Sequence, residues 1–370
     1  AFCLCVFTGN ASAQTSGTTG DCTWALTGEG DNLTLTISGN GAMGSYVSGN
    51  APWYSQRENI KTLVIGNSVW TIGNYAFSNY TGLTSVSIGN SVSTIGIYAF
   101  SGCALVPSVA IPNSVTSIGR SAFSQCTSLE NITGGNGLQS VGNRAFVDTQ
   151  WYNGKPDRSL VYIDNVLYRY KWKMEGMDWD NPPQISLTVA DGTVAIADFA
   201  VAPSDDGSDC NPMIQSVTLP ASLQFIGIYA FACCVNLTEI HSKNPIPPAL
   251  GLSCFDMINK TRCMLYVPSA EAADLYRAAP QWKEFVNILV YNSAAVNEIS
   301  SAKLQIYITN GELKIENAGI GENIMLFDIA GRVVETRQCH VSTETINISH
   351  LSSGIYIVKI GSKSAKFVKE

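Results

Sequence analysis

The phrase Ile-Gly-x-x-Ala-Phe returns at residues 72–77, 95–100 and 118–123, and once more with valine leading at 141–146. The rings of Phe77, Phe100, Phe123 and Phe146 therefore stand 23 residues apart each time. Other columns keep the same step: Leu83, Val106 and Leu129; Val86, Val109 and Ile132; Val69, Val92, Val115 and Leu138. One coil of this length cannot cover its own apolar side. Coils must stack, so that neighbours share one continuous interior and hold each other in place. The expected fold class is mainly β, a solenoid of 23-residue coils with a parallel sheet.

The spacing inside each coil is L-x-x-L-x-L, the core of a leucine-rich repeat. Five close-packed coils are expected from Ile60 to about Phe146, each opening with a short strand, and strands of successive coils should pair in parallel. The period then breaks. Residues 147–185 read as an aromatic insert, with a hairpin turning at Asp164 and Asn165. A degenerate coil resumes at residues 196–201 with Val201 in the ring position. A full coil follows, with Ile214, Val217 and Leu219 leading to Phe231. The solenoid as a whole is assigned to residues 60–290. An N-terminal β cap covers residues 19–59, where Leu33, Leu35 and Ile37 alternate with polar residues. An end cap covers 263–290, with a short helix from Ala270 to about Ala279 and with Trp282 and Phe285 packed beneath it. A polar linker at 291–301 leads to residues 302–370. There, about seven short alternating strands predict a small β-sandwich.

Composition narrows the function. Hydrophobic residues make up 45% and charged ones only 14%, and the net charge is −7. That acidity argues against nucleic acid and anionic membrane surfaces as partners. No apolar run reaches the roughly 20 residues of a membrane span. Residues 1–13 read as the tail of a signal peptide, an apolar run followed by Ala11, Ser12 and Ala13, with cleavage after Ala13. Of the eleven cysteines, Cys103, Cys126 and Cys234 share a position with Tyr80 and Thr149, so they are expected to pack as small hydrophobes. Cys254 and Cys263 are a candidate disulfide.

Several phrases together resemble a known family, the BspA-like leucine-rich repeat proteins of bacterial surfaces. They are the coils themselves, the cap phrase through Met43 with Ala51, Pro52, Trp53 and Tyr54, the insert with Trp151, Tyr152, Tyr168 and Tyr170, and the terminal Leu265 to Pro268 with Tyr276 and Trp282. The resemblance spans about residues 19–290. It implies a secreted or cell-surface protein that binds host matrix proteins or other bacteria. Residues 302–370 resemble the sorting domain of type IX secretion in Bacteroidetes. The residues that carry this are Gly331 and Arg332, Gly354 and Tyr356, and the closing Lys366, Phe367, Val368 and Lys369. This implies the type IX secretion machinery as a partner and the outer cell surface as the destination.

No catalytic constellation is visible. The chain has three histidines, His241, His340 and His350, and no H-E-x-x-H, P-loop or G-x-S-x-G motif. No cofactor or metal is expected. The loop with Asp205, Asp206 and Asp209 carries carboxylates, but in no calcium-loop spacing. Two surfaces are candidates for binding. The first is the outward side of the long strands: Thr62, Val64, Ser85, Ser87, Ser108, Ala110, Asn131, Thr133, Ser216, Thr218, Glu239 and His241. These would offer a flat, hydroxyl-rich ribbon to a protein of the host or of another bacterium. The second is the aromatic insert, where Trp151, Tyr152, Tyr170 and Trp172 would stack on sugars. The alternative function it implies is a surface glycan-binding module.

Overall fold

The computed structural model describes residues 15–172, 182–202 and 212–290, and, in the last part, 305–309, 312–316, 323–329, 332–338, 343–360 and 363–369. The leader at 1–13, the acidic loop at 205–209, the linker at 291–301, Gly331 and His340 lie outside these residues. The chain divides into two compact units, Ala1–Val267 with Glu271–Leu289, and Pro268–Ala270 with Val290–Glu370.

In the first unit each coil has three sides. The first is a longer strand: Ile60–Ile65, Ser85–Ser87, Ser108–Ile111, Asn131–Gly134. The second is a short strand: Val69–Ile72, Thr94–Ile95, Ser117–Ile118, Ser140–Val141. Thus four coils, not five, precede the insert. The ladders are parallel and in register at the 23-residue step, for example Thr62 with Ser85 and Ile95 with Ile118. Between the second and third sides the chain must pass very close to the previous coil. A Cβ on Gly73 would lie 1.9 Å from the Gly44 carbonyl oxygen, and one on Gly119 would lie 2.6 Å from the Ile97 nitrogen. Glycine in the Ile-Gly step is therefore a steric requirement.

The third side is the Ala-Phe turn. Its backbone enters the left-handed region at Tyr75, Tyr98, Ser121 and Arg144, with φ of 56°, 54°, 54° and 60°. Each such residue costs about 1–2 kcal/mol. The offset is a third set of coil-to-coil hydrogen bonds. Tyr75, Phe77 and Asn79 donate their N–H groups to the carbonyls of Ile97, Ala99 and Ser101 at 2.9, 2.8 and 2.7 Å. This leaves the backbone of the turn satisfied, as a buried main chain must be.

The rings form an axial column. Phe77–Phe100, Phe100–Phe123 and Phe123–Phe146 stack at 5.3, 5.1 and 5.2 Å. The N-terminal cap copies the coil. Its strand Asn32–Gly39 pairs in parallel with Ile60–Ile65, its short strand Gly41–Ala42 pairs with Val69–Ile72, and Trp53 stacks on Phe77 at 5.8 Å. The cysteines of the repeat lie inside this core. Cys126 donates its thiol to the Phe100 carbonyl at 3.1 Å, and burial pushes its pKa up to about 12. Cys254 and Cys263, the candidate disulfide, are both free and buried.

The insert closes the first stack. Its hairpin, Ser159–Ile163 with Val166–Lys171, turns at Asp164 as expected. In the regular coils the phenylalanine N–H reaches a carbonyl of the next coil. At Phe146 that coil is missing, and the N–H donates instead to the Tyr168 hydroxyl at 3.0 Å. Tyr168 also meets Phe146 edge-on at 5.5 Å. Replacing Tyr168 with phenylalanine keeps the ring and strands a buried donor. We expect a loss of about 1–3 kcal/mol, measured by urea unfolding of the full chain. An unchanged midpoint would show that the hydroxyl carries no such load.

The next coil begins earlier than the motif suggests. It opens at Ile185–Thr188, which pairs with Ile214–Leu219, rather than at Ile196. Val201 occupies the ring position fully buried. The second ring column is Phe231–Phe255 at 5.6 Å and Phe255–Trp282 at 5.1 Å. Helix Ala270–Ala278 buries Ala272, Ala273 and Tyr276, and Trp282 and Phe285 are buried with it.

Among the described residues of the second unit, seven strands form two antiparallel sheets. One has the order Gln305–Thr309, Glu312–Glu316, Thr343–Asn347. The other has the order Val333–Gln338, Asn323–Asp328, Gly354–Ile360, Lys363–Lys369. Leu313, Ile315 and Ile346 from the first share one core with Leu326, Val358 and Phe367 from the second. This is the β-sandwich the alternation predicts.

Candidate binding surface

Strand alternation fixes what the long-strand side presents. Leu63, Val109, Val217 and Ile240 point into the core, so their neighbours point out. Ser85, Ser87, Ser108, Ala110, Asn131 and Thr133 are exposed; Thr62, Val64, Ser216, Thr218, Glu239 and His241 are half-buried. The register aligns them in rows, Thr62 with Ser85 and Ser108 with Asn131. In the later coils Ser216 aligns with Glu239 and Thr218 with His241.

The candidates do not all lie on one ladder. Those from Thr62 to Ser87 belong to the five-stranded sheet that includes the cap, and those from Ser108 to Thr133 to a two-stranded sheet of the same stack. Those from Ser216 to His241 belong to a separate five-stranded sheet beyond the insert. Residues missed from sequence extend both five-stranded sheets. The cap adds Thr34 and Thr36, aligned with Thr62 and Val64. Ile185–Thr188 adds Ser186 and Thr188, and Ser216 donates to Ser186 at 2.8 Å. The alternation of Leu33, Leu35 and Ile37 already held the signal for the first pair. Rows of hydroxyls both donate and accept, so they suit peptide groups and hydroxyls alike.

The last rungs differ in character. The His241 ring lies flat on Tyr266 at 4.6 Å with 7° between planes. Its Nε2 is 3.0 Å from Glu239 Oε2. Burial, and then the nearby Glu239 charge, push the Tyr266 hydroxyl above its ordinary pKa. Met264, aligned with Glu239, is 39% exposed. Charge, aromatic surface and thioether thus meet at one end of a face that is otherwise hydroxylic.

The aromatic insert is placed differently from the expectation. Tyr170 is only 2% exposed and meets Trp172 edge-on at 4.2 Å, so its ring offers no face to a sugar. Trp151 packs on Phe146 at 5.5 Å, and Tyr152 on Tyr168 at 5.8 Å. Their rings also meet ammonium groups. Lys155 Nζ stands 4.7 Å from the Trp151 ring centre and Lys171 Nζ 5.7 Å from that of Tyr152. Trp172 is half-buried against the core. These four rings seal the interior where the coil period fails.

In the last domain, Arg332 holds Asp328 at 2.7 Å through Nε, and its backbone N–H reaches the same carboxylate at 2.9 Å. Tyr356 stacks on Phe367 at 5.5 Å and donates its hydroxyl to the Ser352 carbonyl at 2.8 Å. Gly354 opens the strand that carries Tyr356. Lys369 donates its ammonium to the carbonyls of Ser349 and Leu351. Lys366 and Val368 face outward.

A BspA type leucine rich repeat region matches residues 50–174 and 208–267 in six copies, half of the chain. The chain belongs to the BspA-type leucine-rich repeat family. A secretion system C-terminal sorting domain matches residues 300–370. The chain is similar to solved leucine-rich repeat proteins. One from Eubacterium ventriosum is 17% identical over 70% of this chain and 80% of that one, with a TM-score of 0.29. One from Bacteroides ovatus is 16% identical over 73% and 75%, with a TM-score of 0.26. The pneumococcal vaccine antigen PcpA is 14% identical over 75% and 98%, with a TM-score of 0.26. No curated protein matches. This BspA-type protein therefore carries the sorting tail of a secretion system, which indicates export to the cell surface. Among the described residues no helix is long and apolar enough to cross a membrane. Its repeats belong to a fold that is in general not catalytic.

Proposed function

We propose that this exported BspA-type protein is a non-enzymatic binder of another macromolecule, a protein of the host or of another bacterium. The outward side of the long strands is its contact surface. The observation that carries this reading is the run of small polar residues on the outward side of the long strands, Ser85 and Ser87 in register with Thr62 and Val64, and Asn131 and Thr133 in register with Ser108 and Ala110. Ser85, Ser87, Ser108, Asn131 and Thr133 lie exposed and uncharged, and paired strands bring their rows about 4.8 Å apart. Such a surface gains affinity from many weak contacts along its length, with the Tyr266 and His241 end as the one place rich enough for a hot spot.

The test is binding of the purified chain to immobilised matrix proteins, mucins and whole bacterial cells. We expect saturable binding to at least one of them. Replacing Ser87 and Ser108 with arginine puts long charged side chains across the flat rows and should weaken that binding about tenfold or more, with unfolding midpoints unchanged. Absence of binding to all three classes, or full binding by the double arginine variant, would remove the reading.

A further inference from the structure

The residues that mark the sorting tail divide into two groups in three dimensions. Phe367 and Tyr356 are buried against each other, and the Lys369 ammonium is tied to two carbonyls. These side chains hold the domain together. Lys366 and Val368, on the same last strand, face away from the core, and Val368 is 55% exposed.

Their surroundings are not those of an idle surface. Alternation that turns Leu326, Val358 and Phe367 inward turns Met325, Phe327, Ile357 and Val368 outward. The register sets Phe327 beside Ile357, Ile357 beside Lys366, and Met325 beside Lys359. Apolar side chains and two lysines thus interleave across three strands. Among the described outward-facing residues of these three strands there is no carboxylate, in a chain whose net charge is −7. Lysine on an edge strand is a common guard against stray pairing. That role does not account for Ile357, 39% exposed on the strand inside the edge.

We propose that this outer face of the four-stranded sheet is the surface by which the secretion apparatus takes hold of the chain. The partner is a protein that meets it with an apolar strip bordered by carboxylates. The proposal rests on the sorting reading of residues 300–370. Lysine-to-carboxylate pairing selects the partner and sets its approach, while burial of Ile357, Phe327 and Val368 supplies the hold.

The experiment expresses the full-length chain in a bacterium that has this secretion system. Surface-exposed protein is then measured with antibody on intact cells, against the pool retained inside. Ile357→Asp, and separately the pair Lys359→Glu with Lys366→Glu, should each lower surface display about tenfold. Thr345→Asp, exposed on the other sheet, should leave display unchanged. Thermal melts of the purified variants verify folding; the lysine pair is exposed, so it reports even if Ile357→Asp unfolds. Normal display of the lysine variant overturns the proposed face while leaving the sorting reading intact. Normal display of a chain lacking residues 302–370 overturns both.

Discussion

Replacing Phe123 with alanine is expected to destabilise the repeat unit by about 3–5 kcal/mol. The ring is 3% exposed and stacks on Phe100 and Phe146 at 5.1 and 5.2 Å, with planes within 7° and 6°. Its loss opens a cavity shared by two coil interfaces, and a stack of coils is held only by such neighbouring interfaces. No other element can move in to fill the gap. The backbone on either side is fixed by the bonds from Phe123 and Gln125 to Ala145 and Val147, at 2.8 and 2.9 Å. Phe123→Leu keeps most of the volume and should cost less than half as much. Urea unfolding followed by circular dichroism measures both. Equal small losses for the two variants would mean that the ring column is not what binds the coils.

Removal of residues 366–370 is expected to abolish surface display and trap the protein inside the cell envelope. The deletion takes away Phe367, which is buried against Tyr356. It also takes away Lys369, whose ammonium joins the last strand to the carbonyls of Ser349 and Leu351. Half of the edge strand Lys363–Lys369 goes with them. Domain integrity and any signal carried on its outer side are lost together. Fractionation of cells expressing the full and shortened chains makes the comparison. Equal surface levels would defeat the sorting reading. The point changes at Ile357, Lys359 and Lys366 separate a misfolded domain from an unread one.

The repeat was legible because each coil states its own geometry. Glycine after isoleucine announces a close backbone passage, and the ring position announces an inward side chain, both within one 23-residue span. The coil opening at Ile185 was hidden because Val201 replaces its ring and Ala197 stands where glycine stands elsewhere. Nothing in the sequence near Tyr168 says that its hydroxyl will receive the N–H of Phe146. That pairing is between segments 22 residues apart that share no motif. For the binding surface, alternation was enough to identify which side chains point outward. It could not reveal that they are divided among three sheets, the last of them beyond the insert. Nor could aromatic composition reveal that Lys155 and Lys171 lie against the rings of Trp151 and Tyr152.

The way the first stack ends limits how such a molecule can grow. Between Phe77 and Phe146 successive coils share the bonds of the short strands and of the Ala-Phe turns. An extra 23-residue unit inserted there would find matching partners above and below, and would lengthen the array by one rung of about 4.8 Å. After Phe146 the terminal donor is already engaged by a tyrosine side chain. A unit added at that joint would have to displace the hairpin. Gene duplication thus has an open site within the first four coils and a closed one at the hairpin, so relatives of different reach should vary in coil number upstream of the Tyr168 plug.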